Sequence, residues 1–149
     1  MGMIDLDPCA ETMANPNVPA SAHFTEDDDG LKQEWWGKVF MNPPYGRQIG
    51  DWCNKLVADY RFGIVTEAIA LLPARTDTLW FRKMRNFPAC FVTGRLKFGE
   101  ASNTAPFPSV LFYLGQNLSA FFREFAYIGD IWTRIELHDT ELIIPWGWR

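Results

Sequence analysis

Apolar positions along this chain recur at two periods, and prolines and glycines mark where one period gives way to the other. Met3 to Asp7 reads as a short strand closed by Asp7-Pro8, since proline cannot donate to a ladder. A loop with Asn15-Pro16 and Pro19 follows, and His23-Phe24-Thr25 then runs as a strand end into the acidic turn Glu26-Asp27-Asp28-Asp29-Gly30. Lys38 to Met41 is a second apolar strand, stopped by Asn42-Pro43-Pro44-Tyr45, after which Gly46 releases the chain into a helix. That helix, Gln48 to Tyr60, carries Ile49, Trp52, Leu56 and Val57 at helical spacing. Ala68 to Leu72 is a fully apolar run before Pro73, the pattern of a strand buried on both faces of a parallel sheet. The remaining pattern predicts a helix over Thr76 to Asn86, strands at Cys90 to Thr93 and Val110 to Leu114, and an amphipathic helix over Leu118 to Tyr127. Trp132 to Leu137 adds a final strand. Strands alternating with helices predict an α/β sheet that binds its ligand beyond the strands' carboxyl ends.

Composition narrows this picture. A chain of 149 residues, 48% of them hydrophobic, buries one good core, so residues 1–149 are expected to form a single domain. No stretch reaches the ~18 uninterrupted apolar residues of a membrane span. The acidic N-terminus does not read as a signal peptide, and a cytoplasmic protein is expected. Cys9, Cys53 and Cys90 share no CxxC spacing, and with only His23 and His138 beside them no metal site is expected. The net charge of −4 is distributed unevenly. Residues 1–30 hold seven acids and no Lys or Arg, whereas 75–97 hold Arg75, Arg82, Lys83, Arg85, Arg95 and Lys97 against Asp77 alone. That central segment is either a basic surface for nucleic acid or a solvated face.

Chemistry is signalled most strongly by Asn42-Pro43-Pro44-Tyr45, a polar residue, two prolines and an aromatic directly after a strand. The Asn42 side-chain oxygen and the Pro43 carbonyl are two acceptors that suit the two hydrogens of a planar amino group. Holding both hydrogens favours a pyramidal nitrogen, whose lone pair can then attack a sulfonium methyl. The prolines fix φ and hold those acceptors still. Tyr45 offers a ring on which a flat substrate stacks.

The resemblance to a known family covers nearly the whole chain. Its blocks are Asp5-Leu6-Asp7-Pro8-Cys9-Ala10; Phe24-Thr25 with Asp28-Asp29-Gly30-Leu31 and Trp35; Val39-Phe40-Met41-Asn42-Pro43-Pro44-Tyr45-Gly46; Leu71 to Thr78 with Trp80-Phe81; Gly94 to Gly99; and Ala105 to Val110. In these the chain resembles the phage-type, Dam-like DNA N6-adenine methyltransferases. The resemblance implies a minimal, single-domain, Rossmann-like class I fold, S-adenosyl-L-methionine as cofactor and double- or single-stranded DNA as partner. It implies Asn42, Pro43, Pro44 and Tyr45 as the catalytic loop, and Asp7, Pro8, Cys9 and Ala10 as the turn beside the methionine part of the cofactor. One acid among Asp27, Asp28 and Asp29 is then expected on the ribose hydroxyls, and Arg75, Arg95 and Lys97 on DNA phosphates. Family members usually carry a further segment before the Asp-Pro-Cys-Ala block, where only four residues precede Asp5 here. An open cofactor pocket, or a homo-oligomer that completes it, would follow. Cytosine N4 and a glutamine amide remain alternative acceptors, and a relative that binds without turnover is a second alternative.

Overall fold

The computed structural model describes residues 2–11, 18–96 and 105–134. Seven strands and three helices are found there: β1 (Ile4–Asp7), β2 (Ala20–His23), β3 (Gly37–Met41), α1 (Ile49–Arg61), β4 (Val65–Pro73), α2 (Leu79–Met84), β5 (Ala89–Val92), β6 (Ser109–Leu114), α3 (Leu118–Phe125) and β7 (Gly129–Trp132). The strands form one sheet in the order β2-β1-β3-β4-β6-β5-β7. From β2 through β4 the pairing is parallel, with Leu6 beside both Ala22 and Val39, and Val39 beside Ala68.

The rest of the sheet corrects the all-parallel environment expected for the apolar run at 68–72. β4 is buried on both faces, but β6 lies antiparallel to it, and β5 and β7 continue the antiparallel pairing. β6 runs against both of its neighbours, β4 and β5, so β5 keeps the direction of the parallel half.

Helix α1 forms because Ile49, Trp52, Cys53, Leu56 and Val57 make one apolar stripe, with Asp51 in the first turn and Arg61 in the last to complement the helix dipole. The stripe packs with Phe81 and Met84 of α2 on the sheet face formed by Leu6, Val39, Met41, Ala68, Ala70, Leu72 and Phe112. The helix expected from Thr76 begins later because Thr78 is its cap, accepting Phe81 N–H at 3.3 Å while donating to the Arg75 carbonyl at 2.8 Å. On the opposite face α3 covers only the antiparallel half, burying Phe121 with Ile69, Leu71, Cys90, Leu111 and Tyr113. A strand does form near the one expected at 132–137, but as β7 at Gly129–Trp132, sharing only Trp132 with it; Thr133 and Arg134 are not in a strand, and residues 135–137 lie outside the described residues.

Between β2 and β3 a turn-rich segment takes the place of a crossover helix, and it is anchored by tryptophan. Trp35 is buried and stacked on Trp52 with ring centroids 5.8 Å apart, and its indole N–H donates to the Gly30 carbonyl at 2.8 Å. Gly30 is packed so closely that a Cβ there would stand 2.0 Å from the Pro8 carbonyl oxygen and 3.1 Å from the Trp52 ring. A Cβ at Gly46, by contrast, would meet nothing within 4 Å. Gly30→Ala is therefore expected to destabilise the fold by about 1–3 kcal/mol, the usual cost of overpacking. Gly46→Ala should stay within ~0.5 kcal/mol of the parent. Chemical denaturation of the two variants checks the contrast, and equal stability would show that the Gly30–Pro8 contact is not tight.

Candidate active site

Because β1 to β4 are parallel, their carboxyl ends share one edge of the sheet, and the segments that leave this edge enclose a cavity of about 690 Å³. Asp7, Pro8, Cys9 and Ala10 line it after β1, and Asn42, Pro43, Pro44 and Tyr45 after β3. The two segments are joined directly. The Asn42 backbone N–H donates to Cys9 Sγ at 3.1 Å, and the Tyr45 hydroxyl donates to Asn42 Oδ1 at 3.4 Å.

The β1 turn is held by its own chemistry. Cys9 N–H donates to Asp7 Oδ1 at 3.1 Å, Phe24 N–H to the Asp7 carbonyl at 2.9 Å, and Ala10 N–H to the Phe24 carbonyl at 2.9 Å. The last two bonds carry the β1–β2 pairing past the strand ends, and Pro8 and Ala10 are buried between them. Asp7 is only 4% exposed; burial raises its pKa, partly offset by the Cys9 N–H and by His23. Cys9 is raised well above the ordinary thiol value, first by burial and then by the Asp7 charge, so it stays protonated. Tyr45 leaves its ring 36% exposed while its hydroxyl faces Asn42, and burial at that end pushes it up to about 12. Asn42 thus stands among neutral partners.

The acidic turn separates two residues that the sequence left equivalent. Asp28 folds back on Thr25, accepting from its N–H at 2.8 Å and its hydroxyl at 2.9 Å, which holds its carboxyl below the usual range. It forms the turn and does not line the cavity. Asp29, in the left-handed region at φ 52°, does line it and pairs with Lys32 at 2.7 Å. Glu11 and Glu26 are further acids of the lining that motif reading passed over, the latter within the same acidic run. Phe40, Gln48 and Trp52 also line the cavity unforeseen. Strand alternation carried the signal for Phe40, which points away from the Val39–Met41 side.

The basic residues are placed differently. Arg75 and Arg95 follow β4 and β5 at the same sheet edge, outside the cavity lining. Arg75 is paired with Asp77 at 3.2 Å and lies 5.7 Å from the centre of the Phe107 ring. Arg95 donates to the Pro106 carbonyl at 2.8 Å and the Ala105 carbonyl at 3.4 Å, tying its own loop together. Lys97 lies outside the described residues. His23 makes a structural contact, its Nε2 standing 2.9 Å from the Val18 carbonyl oxygen. Among the described residues there is no group of His, Cys, Asp and Glu able to hold a metal ion, and no helix is long and apolar enough to cross a membrane.

A family model described as DNA N-6-adenine-methyltransferase (Dam) matches residues 1–125, a span that contains every segment enclosing the cavity. The chain belongs to the Dam family. No curated protein and no solved structure matches it.

The raised Asp7 carboxyl gives this Dam-family site a measurable signature. For an acid whose pKa is raised by folding, the stabilising contribution is present in the protonated form and is lost as pH rises through the folded-state pKa. Asp7→Asn keeps the acceptor for Cys9 N–H and removes the buried charge, so at neutral pH it should raise the melting temperature by a few degrees. The gain should shrink on acidification, as the parent's own carboxyl takes up a proton. Thermal unfolding across a pH series checks both, and a lower melting temperature at neutral pH would mean that the Asp7 charge has a stabilising partner.

Proposed function

We propose that this chain transfers a methyl group from S-adenosyl-L-methionine to the exocyclic N6 amino group of adenine in DNA, on a Rossmann-like class I fold. One observation carries the proposal: the Asn42–Tyr45 loop and the Asp7–Ala10 turn meet in a single cavity and are hydrogen-bonded to each other through Asn42 N–H and Cys9 Sγ. The strand order supports the fold assignment, with four parallel strands and an antiparallel β6 inserted between β4 and β5. The volume lies in the range of small-molecule sites. Its lining also suits the cofactor, with Asp7 for a cationic amino group, Glu26 and Asp29 for ribose hydroxyls, and Val18, Leu31 and Phe40 against a flat base.

S-adenosyl-L-methionine supplies the electrophilic methyl. The protein's part is to bring the amino nitrogen to it in a reactive form. An adenine inside a duplex is extruded from the stack before this nitrogen can be reached, and the half-open Tyr45 ring gives it a stacking partner. Asn42 Oδ1 and the Pro43 carbonyl accept the two amino hydrogens and stabilise the charge that develops on nitrogen. With the prolines fixing φ, these acceptors need no rearrangement as the reaction proceeds. No general base is required for the attack, consistent with a thiol and a phenol that both stay protonated beside Asn42. Arg75, at the sheet edge beside the catalytic loop, is assigned to a DNA phosphate once it exchanges Asp77 for it.

Asn42→Ala should lose ~10²–10³ in rate, the cost of one preorganised acceptor, while cofactor affinity stays within a few-fold. Tyr45→Ala should lose activity severely, and Tyr45→Phe less, since base stacking is worth roughly 1–3 kcal/mol and the ring is retained. The assay is transfer of labelled methyl to DNA, followed by digestion and chromatography. Label in N6-methyladenine supports the proposal, label in N4-methylcytosine would transfer the same chemistry to another base, and label only in protein would refute the nucleic-acid reading.

A separate outcome concerns salt. Arg75→Glu should flatten the log–log salt dependence of DNA binding by about 0.9 per lost phosphate contact. Fluorescence anisotropy at graded ionic strength measures the slope, and an unchanged slope and affinity would remove Arg75 from the interface.

A further inference from the structure

Cys9 is hydrogen-bonded from the β1 turn to the catalytic loop. Its Sγ accepts the Asn42 N–H at 3.1 Å, and its own backbone N–H donates to the Asp7 carboxyl at 3.1 Å. Cys9 therefore bridges the two segments, its backbone N–H held by the buried Asp7 carboxyl and its thiol in contact with the backbone of the residue that carries the proposed acceptor oxygen. Asn42 begins the loop just past β3, whose last paired residue is Met41, and the partner its N–H finds is this sulfur. A backbone N–H left without a partner at such a place would let the peptide rotate, and the side chain with it.

We propose that Cys9 is a positioning residue for Asn42: its thiol fixes the Asn42 peptide and thereby the direction of Asn42 Oδ1, and it links the cofactor side of the cavity to the acceptor side. This rests on the methyltransferase reading given above. Sulfur is a weak acceptor, and the fit to the site comes from its length, since the C–S bond reaches further than the C–O bond of serine. The Tyr45 hydroxyl on Asn42 Oδ1 acts on the same side chain from the other end. Together the two contacts hold Asn42 at its backbone and at its tip.

The test compares Cys9→Ala, which removes donor and acceptor, with Cys9→Ser, which restores both at shorter reach. Cys9→Ala is expected to lower kcat about tenfold, because a small misplacement of a reacting group is costly, with KM for cofactor and for DNA within about twofold. Cys9→Ser should recover to within about threefold of the parent. Hydrogen exchange at the Asn42 amide gives a readout independent of turnover: protection should be lost in Cys9→Ala at unchanged melting temperature and kept in Cys9→Ser. Parent-like kcat in Cys9→Ala, or equal loss in both variants, would overturn the proposal. A rise in cofactor KM at unchanged kcat would overturn it too, and would make Cys9 a cofactor contact instead. If the parent transfers no methyl to any acceptor, the methyltransferase reading fails, while Asn42 amide exchange still decides whether the thiol fixes that peptide.

Discussion

The parallel register of β1, β3 and β4 is the constraint on which the site depends. Leu6 lies beside Val39 and Val39 beside Ala68, so one step beyond the buried core Asp7 and the residues entering Asn42 emerge at neighbouring heights on adjacent strands. A one-residue slip of β3 would turn Val39 and Met41 off the helix-covered face and withdraw the Asn42 N–H from Cys9. Burial of Val39 and Met41 to zero exposure makes such a slip expensive, so the same apolar contacts that hold the core also set the distance between the two halves of the cavity. Pro8 and Pro43 then stop the ladders on these two strands where the chain must leave the sheet.

Much of this was legible because it is local. The α1 stripe at 49, 52, 56 and 57 admits one reading, and the Asn-Pro-Pro-Tyr and Asp-Pro-Cys-Ala turns announce themselves as proline-stopped strand ends. The failures are equally physical. β2, the sequence Ala20-Ser-Ala-His23, is short and has little β propensity, and it is held by its parallel pairing with β1. The direction of β6 cannot be read from its six buried residues, since burial on both faces looks the same in parallel and antiparallel company. Thr76 and Thr78 are chemically equal as caps, and the Arg75 carbonyl decides between them.

Site residues divide along the same line. Asp28 and Asp29 are neighbours of one type, yet a turn bond to Thr25 takes the first and a left-handed φ turns the second to the cavity. Arg95 looked like a free cation because the carbonyls it ties, Ala105 and Pro106, are ten residues on and carry no side-chain signal. Charge counts along a segment report which residues are ionised, and leave open which of them already have partners.

Electrostatically, the cavity combines two environments that meet at Cys9. Buried Asp7 and the lining acids Glu11, Glu26 and Asp29 belong to the segments after β1 and β2, and the neutral Asn42 and Tyr45 to the loop after β3, which Cys9 of the β1 turn touches. On the methyltransferase reading proposed above, a cation gains from the first, and the amino nitrogen meets neutral acceptors in the second. Acceptors such as an amide oxygen and a backbone carbonyl interact more strongly as positive charge develops on nitrogen, which is the condition for lowering a barrier instead of merely tightening binding. The burial that raises the Cys9 pKa follows from the packing of the β1 turn against β2 and Gly30.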